Sequence, residues 1–96
     1  MRAYSYYAYA ALRAWFSDRM TAGCGAAAQA NYEACCKALE SVDANTRLIL
    51  KDVYCHDGAL GTAVRETARK YDLQGNDLWT LVARVEKDFA IARGLI

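Results

Sequence analysis

"TAVRETARKYDLQGNDLWTLVARVEKDFAIARGL", residues 62–95, is the stretch whose reading decides the fold. Its apolar side chains recur at helical steps on both sides of a break. Val64, Ala68, Tyr71 and Leu73 form one set, and Leu78, Leu81, Val82 and Val85 form the other. Between Tyr71 and Asn76 the period is interrupted, so the pattern predicts two helices packed across a tight corner, a unit spanning about 62–92. Ala68 is the expected crossing point, because a small side chain lets two helices approach. Leu78 and Leu81 then pin the second helix from inside.

The preceding segments read as helix as well. "SVDANTRLILKDVYC", residues 41–55, offers Asp43 as an N-cap and Leu48, Ile49, Val53 and Tyr54 for burial. "CHDGALG", residues 55–61, is a turn, with the next helix expected from near Thr62. A further helix is expected from Ala26 to about Ser41, with Ala28, Tyr32, Cys35 and Leu39 as its apolar stripe and Glu33, Lys37 and Glu40 in solvent. Before it, Gly23 and Gly25 make a stop and connector. The first helix is expected from about Arg2 to Met20, with Tyr4, Tyr7, Ala8, Ala11, Leu12, Trp15 and Phe16 on one face toward the core. Tyr6 and Tyr9 lie off that face. They serve either as edge-of-core aromatics with hydroxyls in water or as a contact surface for another macromolecule.

Composition agrees with an all-α chain. There are 96 residues, 55% hydrophobic and 24% charged, and no proline, which suits one small helical domain of about five helices over residues 1–96. Net charge is +1, with acids and bases evenly distributed and no polybasic arm. Phosphate neutralisation supplies most non-specific DNA affinity, so a near-neutral domain has to gather its few cations on one face to hold DNA. "MRAYSYYAYAALRAWF" fits neither a membrane span nor a secretion signal, so no membrane partner and a cytoplasmic location are expected. Cys24, Cys35, Cys36 and Cys55 accordingly read as reduced thiols, with Cys35 buried beside an exposed Cys36.

The unit at 62–92 resembles a helix-turn-helix, and the run from about Tyr32 to the end resembles the promoter-reading C-terminal domain of bacterial sigma factors. In that family a helix like "ALESVDANTRLILKDVY" precedes the helix-turn-helix. The ending "ARGLI" and the aromatic first helix are similar to small sigma-like regulators of phages and integrated elements, the RinA and ArpU kind. The resemblance implies promoter or operator binding, with RNA polymerase or as a homodimer, in a bacterial host cell. Carried over by position, it implies that Gln74, Gly75, Asn76, Trp79, Thr80, Ala83 and Arg84 face the groove and that Arg65, Arg69 and Lys70 approach phosphates. Asn76 and Gln74 suit adenine edges and Arg84 suits guanine. The chain departs from the family at Trp79 and Thr80, where basic side chains are usual, and Asp77 adds repulsion.

A second function, of another class, uses the same surface. Trp79 is a natural interface anchor, and with Asp77, Tyr6 and Tyr9 it suits a small inhibitor or adaptor, such as an anti-CRISPR-like phage inhibitor of a host defence nuclease. Packing of Trp79 against Trp15 or the tyrosine flank is the structural alternative.

Enzymatic chemistry is not expected. Cys55, His56 and Asp57 adjoin in sequence, but neighbouring side chains diverge, whereas a nucleophile, base and orienter must converge. The cysteines lack zinc spacing, no phosphate-cradling glycine loop is present, and Glu86 and Asp88 read as a solvated helix face. No metal or other cofactor is expected.

Overall fold

Five helices follow one another in a computed structural model that describes residues 4–19 and 25–96. They are α1 (Ser5–Phe16), α2 (Ala26–Leu39), α3 (Ala44–Tyr54), α4 (Leu60–Lys70) and α5 (Gly75–Arg93). No strand occurs among the described residues, and no described helix is long and apolar enough to cross a membrane. The expected ends of α1 at Arg2 and Met20, and the positions of Gly23 and Cys24, lie outside the described residues.

The longest helix, α5, packs most extensively on α2, while α1 touches α2, α3 and α5. The shared core is built from Leu12 and Phe16 of α1, Cys35 and Leu39 of α2, Leu50, Val53 and Tyr54 of α3, Val64 of α4, and Leu78, Val82, Val85 and Phe89 of α5. Phe16 stacks on Tyr54, ring centroids 5.7 Å apart and planes within 6°. That pair joins α1 to α3 at the centre of the molecule.

Helix ends are set by local chemistry. Asp43 caps α3 as expected, its carboxylate accepting from the Thr46 N–H at 2.7 Å. Three helices close with the same C-terminal hydrogen-bond pair. In α4, Leu73 N–H reaches Ala68 O at 2.8 Å and Asp72 N–H reaches Arg69 O at 3.3 Å, with Asp72 left-handed at φ 56°. Asp18 does the same after α1 at φ 57° and Gly94 after α5 at φ 81°. The corner between α4 and α5 therefore turns on Asp72, an L-residue whose short polar side chain tolerates this backbone, and not on Gly75, which opens α5.

Several expected core positions are corrected. Tyr7 is 41% exposed; its ring meets Phe89 while its hydroxyl donates to Asn31 Oδ1. Leu48 is 58% exposed, since only Leu50, Val53 and Tyr54 of α3 turn fully inward. Leu73 is exposed because it follows the turn at Asp72, and Tyr71, still in helical phase at the end of α4, lies at the surface with its hydroxyl on Asp52. Leu81 is half-buried at the edge of the core, and Leu78 and Val82 occupy the interior positions. Glu86 is the largest departure: expected in solvent, it is 6% exposed. Asp88, expected beside it, is half-buried.

Candidate functional site

Two surface features converge on α5. The first is the outward face of its N-terminal half, where Gly75, Asn76, Asp77, Trp79, Thr80, Ala83 and Arg84 are all exposed, with Gln74 exposed at the cap. Thr80 Oγ1 donates to Asn76 O at 2.9 Å, which ties down one of these side chains on its own helix. Asp77 lies in the first turn of α5, where a carboxylate offsets the partial positive charge of the helix start.

The preceding helix, α4, carries Arg65, Arg69 and Lys70, all exposed. The guanidinium groups of Arg65, Arg69 and Arg84 make no hydrogen bond or ion pair with any described residue. Both α4 arginines lie near enough to Glu66 to help lower its carboxyl pKa, behind the larger effect of the His56 hydrogen bond. Lys70 is held differently. Its Nζ donates to Asp52 Oδ2 at 2.9 Å, and the same oxygen accepts from the Tyr71 hydroxyl at 2.6 Å. The Tyr71 and Lys70 hydrogen bonds hold the Asp52 carboxyl below its usual value. This hub fastens the end of α4 to α3, so Lys70 meets a phosphate only alongside an acid that already answers its charge.

The second feature is a cleft of about 590 Å³ between the starts of α1 and α4 and the middle of α5. Tyr4, Leu60, Gly61, Trp79, Val82 and Ala83 wall it, and Glu86 lies at its floor. A smaller lobe of about 250 Å³ shares Ser5, Leu60 and Glu86 and adds Tyr6 and Tyr9. Trp79, 42% exposed, belongs to this cleft as well as to the outer face of α5. Trp15, its suggested partner, instead meets Tyr32, ring centroids 5.1 Å apart.

Glu86 reaches the floor because it shares the inner stripe of α5 with Val82, Val85 and Phe89. Its Oε2 accepts from the Tyr54 hydroxyl at 3.0 Å, and no described cation forms an ion pair with it. Burial pushes the Glu86 carboxyl up, and the Tyr54 hydrogen bond pulls it part of the way back. Burial likewise holds the Tyr54 hydroxyl well above its ordinary range, with the Glu86 charge adding to it. Arg13, on the α1 side, is committed elsewhere: its Nη1 donates to Tyr54 O at 3.1 Å, His56 O at 2.7 Å and Tyr9 Oη at 3.3 Å.

The Cys-His-Asp segment forms no converging triad. His56 Nδ1 accepts from Gly58 N–H at 2.8 Å, and its Nε2 lies 2.5 Å from Glu66 Oε2, linking the α3–α4 turn to α4. Cys35 is buried and its thiol pushed up to about 12, by burial and then by Cys36, while Cys36 is exposed as expected. Among the described residues, no three His, Cys, Asp or Glu side chains gather in a metal-holding group.

The candidate residues thus fall into two sets sharing Trp79. Arg65 and Arg69 are exposed on α4 and Gln74, Asn76, Thr80 and Arg84 at the cap and along the first half of α5, whereas Tyr6, Tyr9 and Trp79 border the cleft. Compared with known proteins, the chain matches no family model, no curated protein and no solved structure.

Proposed function

We propose that this chain is a sigma-factor-like, DNA-binding transcriptional regulator of a phage or integrated element. On this reading it places the first half of α5 in the major groove of a promoter or operator, with RNA polymerase or as a homodimer. The observation that carries the proposal is the exposed face of α5 from Gly75 to Arg84, together with exposed Arg65 and Arg69 on the preceding helix, whose guanidinium groups form no ion pair with any described residue. Asn76 and Arg84 supply the base-edge chemistry, and the α4 arginines supply phosphate contacts. Selection of binding sites from a random duplex library tests it. The wild-type chain is expected to enrich one motif, and Arg84→Ala to relax a single position of that motif. A library that emerges unenriched contradicts the proposal.

A second reading is favoured by the meeting of Trp79, Tyr6 and Tyr9 around one cleft. In it the chain is a phage inhibitor or adaptor that docks on a host defence protein, such as a nuclease, through this aromatic surface. Affinity purification with nuclease treatment separates the two. Capture that survives nuclease and is lost in Trp79→Ala supports the inhibitor, and capture lost with nuclease and in Arg65→Ala/Arg69→Ala supports the regulator.

A further inference from the structure

Glu86 combines two properties that rarely coexist without a counterpart. It is 94% buried by accessible surface, yet among the described residues its carboxylate has one hydrogen-bond partner, a neutral hydroxyl, and no described cation pairs with it. A carboxylate withdrawn from water in this way is costly. What remains accessible of it opens into both lobes of the cleft. The walls above it are aromatic, Tyr4 and Trp79 on one side and Tyr6 and Tyr9 on the other.

We propose that this cleft receives an arginine side chain from a partner protein, its guanidinium on the Glu86 carboxylate and its flat face against the aromatic walls. A guanidinium is planar and weakly hydrated, stacks on aromatic rings and donates in a fork that matches a carboxylate. The more strongly hydrated ammonium of lysine loses more on leaving water and cannot stack in the same way. Anions are rejected, because Glu86 repels them and Arg13 is already spent on Tyr54 O and His56 O. A tethered side chain fits better than a free small cation, because the rims stay open: Tyr6 is 78% and Trp79 42% exposed, area that only a protein surface around the cleft covers.

The inference rests on the protein-contact reading for its partner, and a titration of the full ¹⁵N-labelled chain tests it. N-acetyl-arginine methylamide is expected to shift the Trp79 indole N–H and the Gly61 amide saturably, and the neutral isostere N-acetyl-citrulline methylamide to bind at least about tenfold more weakly. Glu86→Gln, which still accepts from Tyr54, is expected to lose the preference for arginine. Gly61→Leu is expected to block the cleft without disturbing the fold, since a Cβ at Gly61 meets nothing within 4 Å. Circular dichroism checks that both variants remain helical. Absence of arginine-induced shifts, or an equal response to citrulline, overturns the inference. Agmatine binding more than tenfold tighter than the capped arginine makes a free cation the occupant and overturns the partner assignment. A cleft that ignores arginine in a chain that still captures a nuclease-resistant partner overturns this inference alone and leaves the protein-contact reading standing.

Discussion

Tyr54→Phe isolates the buried Tyr54–Glu86 contact with no change in shape beyond one oxygen. Tyr54 is fully buried and its hydroxyl is the single donor to the Glu86 carboxylate among the described residues, at 3.0 Å. A hydrogen bond to an ionised group contributes roughly 1.5–3 kcal/mol, whereas one to a neutral group contributes about 0.5–1.5 kcal/mol. The cost of Tyr54→Phe therefore depends on the charge of Glu86. Burial raises the Glu86 carboxyl above its unfolded value, so in the window between the two values the folded chain binds more protons and its stability falls as pH rises. Removing Tyr54's hydroxyl removes the contact that lowers this pKa, so the window extends further upward in the variant. Thermal unfolding followed by circular dichroism at pH 4.5, 6 and 8 should show a deficit that grows with pH. At pH 8 it should be about 2 kcal/mol, or roughly 8–16 °C in a domain of this size. Asp43, Asp52 and Glu66, which titrate with the opposite sign, cancel in the difference between variant and wild type. An equal deficit at all three pH values, or none at any, would refute a buried, ionising Glu86.

Further outcomes follow from the same geometry. Leu78→Ala is expected to cost about 2–5 kcal/mol in urea denaturation, and Leu81→Ala clearly less, because only Leu78 is fully enclosed; equal costs contradict the register of α5. Asp43→Ala should lower the melting temperature at neutral pH by removing the α3 cap. Because the Asp43 carboxyl is held low by the Thr46 N–H, that effect should vanish as pH falls through its folded-state pKa; a pH-independent effect argues against the cap. Asp72→Gly should stabilise the chain by up to about 1 kcal/mol by relieving a left-handed L-residue at the α4–α5 corner, and destabilisation means that the Asp72 side chain contributes more than the backbone costs.

Helical periodicity exposed much of this architecture, and its failures have local causes. Leu78, Val82 and Val85 are buried as their three- and four-residue spacing required, and Asp43 caps α3 from sequence position alone. The same spacing extends through Glu86 to Phe89, so the buried position of Glu86 was legible as a place on the stripe. Its carboxylate hid it, because an acid on a helix is usually read as solvated, and its acceptance inside depends on Tyr54, 32 residues away. Leu73 went astray for a different reason. A left-handed Asp72 rotates the chain out of helical phase, and a turn centred on aspartate carries a weaker signal than one centred on glycine. The cleft could not be read at all in one dimension, since it joins the starts of two helices to the middle of a third. Trp79, puzzling on a groove-facing helix, is explained in part by its place in that cleft.

The most direct test of the proposed function is the salt dependence of DNA binding, measured by fluorescence anisotropy on a duplex carrying the selected motif. A DNA-reading face whose phosphate contacts come from Arg65 and Arg69 predicts a log–log slope on the order of −2, about 0.9 per neutralised phosphate, falling toward zero in Arg65→Ala/Arg69→Ala. A slope unchanged in the double variant, or no binding at low salt, would contradict the assignment of α4 and α5 to DNA.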